Sequence, residues 1–141
     1  MPAAVPKFSE VKVGDQLKPI VLPPISRHQL ALYCGGSGDH NPIHVDIDFA
    51  KSAGMPDVFA HGMLSTAWLA RLLTNWVPQP AIRSLDVRFA ALTHVGERIS
   101  CTGTVAEKFD REGRRSVLLK VASANANGVI KLSGEALVAW L

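Results

Sequence analysis

The sequence predicts an α+β fold in which an antiparallel sheet curls around one buried helix, at about residues 63–76. Three observations predict it. The segment Met63–Trp76, MLSTAWLARLLTNW, is apolar almost all round, with Arg71 and Asn75 as the clear exceptions. A helix of that kind is normally buried. After Pro78 and Pro80 the pattern changes to an alternation of period two, repeated in four stretches. The chain has 141 residues, about one domain's worth, so residues 1–141 are expected to form a single domain whose strands wrap the helix.

The elements follow in order. A short strand is expected around Asp15–Leu22, closed by Pro23 and Pro24. Ser26 opens a helix, because Ser26-Arg27-His28-Gln29 has the form of a capping box. Leu30, Ala31 and Tyr33 continue it, and Gly35-Gly36 is the expected end. Ser37–His44 reads as a polar loop, and Asp46–Ala53 as a short helix with Gly54 just beyond. Beyond the long helix, Ile82, Leu85, Val87 and Phe89 mark one strand. Arg98–Glu107, Ser116–Ala124 and Val129–Leu141 mark three more, which would form a meander with the first. Turn residues lie at the joints: Gly96, Asp110–Gly113 and Asn125–Gly128.

Composition narrows the class. Hydrophobic residues make up 48% and charged residues 19%, which excludes a disordered chain. The mean hydropathy of +0.16 suits a domain whose surface is partly covered by a partner subunit. No apolar run is long enough to span a membrane. The opening MPAAVPKFSEVK has neither the charged nor the apolar region of a secretion signal, so a cytoplasmic location is expected. Cys34 and Cys101 are too few for a disulfide framework. The net charge is only +3, and the densest basic spot, Arg111, Arg114 and Arg115, reads as a solvated hairpin tip. Nucleic acid would want a basic stripe interleaved with aromatics. A mild positive surface fits a phosphorylated small-molecule carrier better.

Two segments carry chemistry. Gly38-Asp39-His40-Asn41-Pro42-Ile43-His44 places a carboxylate, an amide and two imidazoles within seven residues. A carboxylate and an imidazole side by side can hold one water and move its protons. The bland alternative is an Asx-turn that caps the next element. A metal set of Asp39, His40, His44 and His61 lacks a recognisable ligand spacing. The second segment, Ala60-His61-Gly62-Met63, lies at the mouth of the long helix. A helix N-terminus offers free N–H groups and partial positive charge, and glycine admits a ligand close to the backbone. An oxyanion would be stabilised there; equally, Gly62 would ease a tight turn.

Tyr33-Cys34-Gly35-Gly36-Ser37-Gly38-Asp39-His40-Asn41-Pro42-Ile43-His44, with Ala50 six residues on, resembles the hydratase 2 signature of MaoC-like (R)-specific enoyl-CoA hydratases. Ala60-His61-Gly62-Met63 matches that family's A-H-G-M segment. The resemblance runs from about Phe8 to the C-terminus and implies a hot-dog fold. It implies reversible hydration of a trans-2-enoyl thioester to the (3R)-3-hydroxyacyl thioester. Asp39 and His44 would be the catalytic dyad, Asn41 would help hold the water, and the Gly62 N–H would bind the thioester oxygen. His61, Met63 and Tyr33 are candidates for substrate contact. No metal or redox cofactor is implied; the substrate carries its own CoA or acyl carrier protein thioester. The expected partner is a second copy, joined sheet edge to sheet edge, or another hot-dog subunit in a heterodimer. Neither nucleic acid nor membrane is an expected partner.

Two other functions stand beside it. A hot-dog thioesterase generally places an acidic residue on the central helix, and Met63–Trp76 contains none. A non-catalytic acyl-thioester-binding subunit would not need both Asp39 and His44. The remaining residues have plainer readings. His28, His94, Arg83 and Arg88 are expected on the surface, Cys34 in packing, and Phe59, Trp68 and Trp76 in the core.

Overall fold

A computed structural model describes residues 4–140. The chain runs β1 (Ile20–Val21), α1 (Arg27–Ser37), α2 (Ile47–Ser52), α3 (Gly62–Thr74), β2 (Ile82–Phe89), β3 (Ser100–Arg111), β4 (Arg114–Ala124) and β5 (Ile130–Ala139), with short 3-10 turns at Phe8–Glu10, Pro42–His44 and Gln79–Ala81. The strands form one antiparallel sheet in the order β1-β3-β4-β5-β2. The sheet curls over α3, which gives the hot-dog architecture.

Local chemistry explains most boundaries. The Gln29 N–H donates to Ser26 Oγ at 3.1 Å, the expected cap of α1. Ser26→Ala should cost about 1 kcal/mol of stability, read by urea denaturation. The helix does not stop at Gly35-Gly36. It continues to Ser37 and ends at Gly38, whose φ of 77° is left-handed and whose N–H donates to Cys34 O. Only the residue just past the end needs that conformation, so the earlier pair is carried inside the helix. Asp46 caps α2 through a bond from the Phe49 N–H at 3.2 Å. The expected strand at Asp15–Leu22 shrinks to Ile20–Val21, with one isolated bridge from Gln16 to Thr104. Pro19, which has no N–H to donate, stands between them.

The four strands are not one meander. β3, β4 and β5 are, but β2 lies on the far edge beside β5, with Leu85 opposite Ala136 and Phe89 opposite Leu132. The connection through residues 90–99 is too long for a hairpin and is fastened along its way. The Ala60 N–H donates to Thr93 O at 2.9 Å, and the Gly96 N–H to Ile25 O at 2.7 Å. The β3–β4 turn is tighter than expected: Glu112 and Gly113, with φ 52° and 75°, make a two-residue loop.

The core lies between α3 and the sheet. Leu64, Trp68, Leu69, Leu72 and Leu73 meet Ile99, Cys101, Val105, Val117, Leu119 and Val121. Burial pushes the Cys101 thiol up to about 11, so it is an inert packing group. The helix is not covered all round: Met63, Ala67, Arg71 and Thr74 form an exposed stripe. The sheet of one chain covers only the other side. Among the described residues, the outer edge of β2 carries no partner strand.

Candidate active site

The two segments singled out above meet in space. Asp39 follows the left-handed Gly38, and His44 closes the 3-10 turn Pro42–His44. The Asp39 carboxylate, a His44 ring nitrogen and a His61 ring nitrogen lie within 4.8 Å of one another. That separation lets one water bridge the carboxylate and the imidazole with two ordinary hydrogen bonds. Asp39 is exposed, whereas His44 is 9% exposed.

The His44 ring is held on three sides. Its Nδ1 lies 2.7 Å from Phe59 O. A carbonyl only accepts, so Nδ1 carries a proton, and in the neutral ring Nε2 is the free acceptor. The ring stacks on His61, with centroids 3.9 Å apart, and meets Phe59 edge-on at 5.1 Å. No side-chain pattern signals the Phe59 carbonyl, because any residue at that position supplies one.

His61 lies behind Asp39 and His44, 1% exposed. Its Nε2 lies 3.2 Å from Asp39 O and 3.5 Å from Cys34 Sγ, and Tyr33 packs edge-on at 4.7 Å. Burial, followed by the neighbouring His44, holds His61 below its ordinary 6.5. Tyr33 is half-buried and Met63 lies open to solvent. Asn41 commits its carboxamide oxygen to capping the 3-10 turn, accepting from the Ile43 N–H at 3.1 Å. Its amide NH₂ is the part left to meet a water.

Gly62 is the first residue of α3, so its N–H belongs to the unsatisfied first turn. A Cβ there would sit 2.8 Å from the Phe89 ring. Phe89 thus lies against the glycine face, at the end of the free edge strand. Beside it opens an apolar pocket of about 390 Å³, lined by Phe59, Gly62, Ser65, Phe89, Leu132 and residues 90–93. A larger hollow of about 760 Å³ on the outer face of the sheet touches neither Asp39 nor His44.

Other residues fall apart from the site. His28 and His40 are exposed, as are Arg83, Arg88, Arg111, Arg114 and Arg115. His94 is half-buried rather than on the surface, because it bridges to Phe59. Trp68 is core, and Trp76 packs against Trp140 at 5.7 Å. Asp39, His44 and His61 are a three-donor set of a kind that can hold a transition metal, with His40 outside it.

Asp39 and His44 lie beside the open N-terminus of a sheet-wrapped helix, and the fold is that of a hot-dog domain. Comparison narrows the class. The MaoC like domain matches residues 9–127, and the chain belongs to that family. It is 30% identical over 100 residues to the (R)-specific enoyl-CoA hydratase of Rhodospirillum rubrum, covering 70% of this chain and 68% of that protein. It is 28% identical over 129 residues to the mitochondrial 3-hydroxyacyl-[acyl-carrier-protein] dehydratase of Arabidopsis thaliana, covering 89% of this chain and 75% of that one. R-hydratase PhaJ1 from Pseudomonas aeruginosa superposes with a TM-score of 0.81 at 26% identity, over 93% of this chain and 83% of its own.

Proposed function

We propose that this protein adds water reversibly across the 2,3 double bond of a trans-2-enoyl-CoA, giving the (3R)-3-hydroxyacyl-CoA. The observation that carries the reading is the pairing of the Asp39 carboxylate with a His44 imidazole whose Nδ1 is fixed by Phe59 O. His44 Nε2 takes a proton from the bridging water as the oxygen attacks C3. That proton passes from His44 to the Asp39 carboxylate, which delivers it to C2 on the same face, so both groups end as they began. Charge that builds on the thioester oxygen falls at the Gly62 N–H, where the helix dipole favours it. The thioester supplies the acidifying carbonyl, so this chemistry calls for no metal or redox cofactor. CoA is the expected carrier rather than acyl carrier protein.

The working unit is proposed to be a homodimer joined along β2, with a heterodimer with another hot-dog subunit as its variant. Its support is the unpaired eight-residue edge, together with exposed Met63, Phe89 and Leu92 at 61%, 56% and 45%. Sedimentation should give twice the chain mass. A cytoplasmic location fits two buried free thiols. The direct test is the ultraviolet absorbance of crotonyl-CoA. Loss of the enoyl band without thiol release supports hydration, thiol release means a thioesterase, and neither means a binding subunit or an unsuitable acyl chain.

A further inference from the structure

Lys131 is a buried cation that no step of the proposed reaction touches. It is 4% exposed, on β5. Its ammonium donates to Leu92 O at 2.7 Å and to Glu97 Oε1 at 3.1 Å, and lies 2.8 Å from Oε2. Glu97 closes a turn on His94: its carboxylate accepts from the His94 N–H at 3.2 Å, and its own N–H donates to His94 O at 3.2 Å. Of the four ion pairs among the described residues, this alone has both partners largely withdrawn from water. A buried pair adds little net stability over apolar packing. This one fastens the backbone of residues 92–97 to β5, across 39 and 34 residues of sequence.

That backbone leads to His44. His94 forms a β-bridge with Phe59, and the Ala60 N–H donates to Thr93 O at 2.9 Å. Phe59 O in turn lies 2.7 Å from His44 Nδ1 and holds the proton on that nitrogen. A continuous run of contacts therefore joins the ammonium to the ring: Lys131 to Glu97, Glu97 to His94, His94 to Phe59, and Phe59 O to Nδ1. We propose that Lys131 is a positioning residue for His44: by holding residues 92–97 it fixes the Phe59 carbonyl, and the carbonyl fixes which ring nitrogen is free to accept. The effect on rate rests on the proposed hydratase reading; the effect on the ring does not. Which nitrogen of a histidine carries the proton is set by the bond the other makes. Once Phe59 O drifts out of hydrogen-bond reach, the ring populates both tautomers. In the second of them Nε2 bears the proton and cannot take one from water. Lys131 acts through backbone groups throughout, so it needs no contact with substrate.

The test reads the tautomer directly. A long-range proton–nitrogen correlation spectrum at about pH 8.5, where an imidazole is neutral, tells the two ring nitrogens apart. His44→Gln assigns the His44 signals among the five histidines. Wild type should carry the proton on Nδ1. Lys131→Met should move the signals toward the average of the two tautomers and lower kcat for crotonyl-CoA about tenfold. Lys131→Arg, which keeps a cationic donor for Leu92 O and Glu97, should restore both. Lys131→Met combined with Glu97→Gln leaves no buried charge unpaired, so it should fold more readily than Lys131→Met alone and still show the shifted ring. Val117→Ala, a core truncation opposite Val138 and far along β5 from Lys131, should lower stability and leave ring and kcat as in wild type. A native tautomer in both Lys131→Met and the double variant overturns the proposal. So does a wild-type His44 protonated on Nε2, or a shifted tautomer with unchanged kcat. Failure of the wild type to hydrate crotonyl-CoA overturns the hydratase reading instead, and the ring signals then decide the hold of Lys131 on His44.

Discussion

Asp39→Asn should lower the hydration of crotonyl-CoA by about 10²–10⁴ in kcat while leaving the melting temperature near that of the wild type. The substitution keeps the shape of the side chain. It also keeps an oxygen able to accept from the Asn41 N–H, a bond of 3.2 Å in the native loop. What it removes is the group that, in the proposed reaction, receives and delivers a proton. His44→Ala should cost a similar factor in rate, and some stability as well, because the ring also fills the space between His61 and Phe59. In the proposed reaction the two groups act as a unit on one water, so the double variant should be little slower than either single one. A single variant with near-native turnover, or a double variant slower by the product of the two effects, would sink the dyad.

Gly134→Ala is expected to be among the most damaging small substitutions in the fold. An added Cβ would sit 1.9 Å from Asp86 O and 2.9 Å from Val87 Cα. Both are backbone atoms of β2, so no side chain can swing aside. The edge strand itself must move, and we expect a loss of about 3 kcal/mol. The midpoint of urea denaturation checks it. Because Phe89 lies two residues beyond Val87 on the same strand, the KM for crotonyl-CoA should rise too. An unchanged midpoint would show that β2 yields without resistance.

The Glu97–Lys131 pair makes a separate expectation about acid. Burial pushes the Glu97 carboxyl up, but Lys131 and the His94 N–H outweigh it, and the group lies below its ordinary 4.5. A carboxyl depressed on folding contributes in full above its unfolded value, and the contribution fades as pH falls through the folded value. Wild-type stability should therefore drop between about pH 5 and pH 3 more steeply than that of Glu97→Gln.

The cap at Ser26, the helix centred on Trp68 and the four later strands are legible in sequence because their causes are local. A hydroxyl three residues from an N–H, or an alternation of Val and Leu, needs no distant partner. The place of β2 is not local. Nothing between Ile82 and Phe89 says that its neighbour is Leu132–Val138 rather than the next strand along. Asp39, Asn41 and His44 stand out because one motif joins them, and Gly62 because a second segment carries it; the structure brings Asp39 and His44 within reach of one water. Phe59 O, and the hold of Lys131 on Leu92 O, escape notice. The first is backbone, and the second spans 39 residues.

The strand order also bears on how the protein comes into being. β5 joins β4 to β2, and it is synthesised well after α3. Until it docks, β2 has no neighbour in the sheet and the apolar side of α3 has only part of its cover. Pairings between segments so far apart in sequence form slowly. A ribosome-bound chain that has emerged only as far as β4 therefore shows the cell a partly covered helix and the edges of β4 and β2 that β5 will later fill. Such a species is a natural client for a holdase, and slowing translation before residue 130 should raise the fraction of product lost to aggregation.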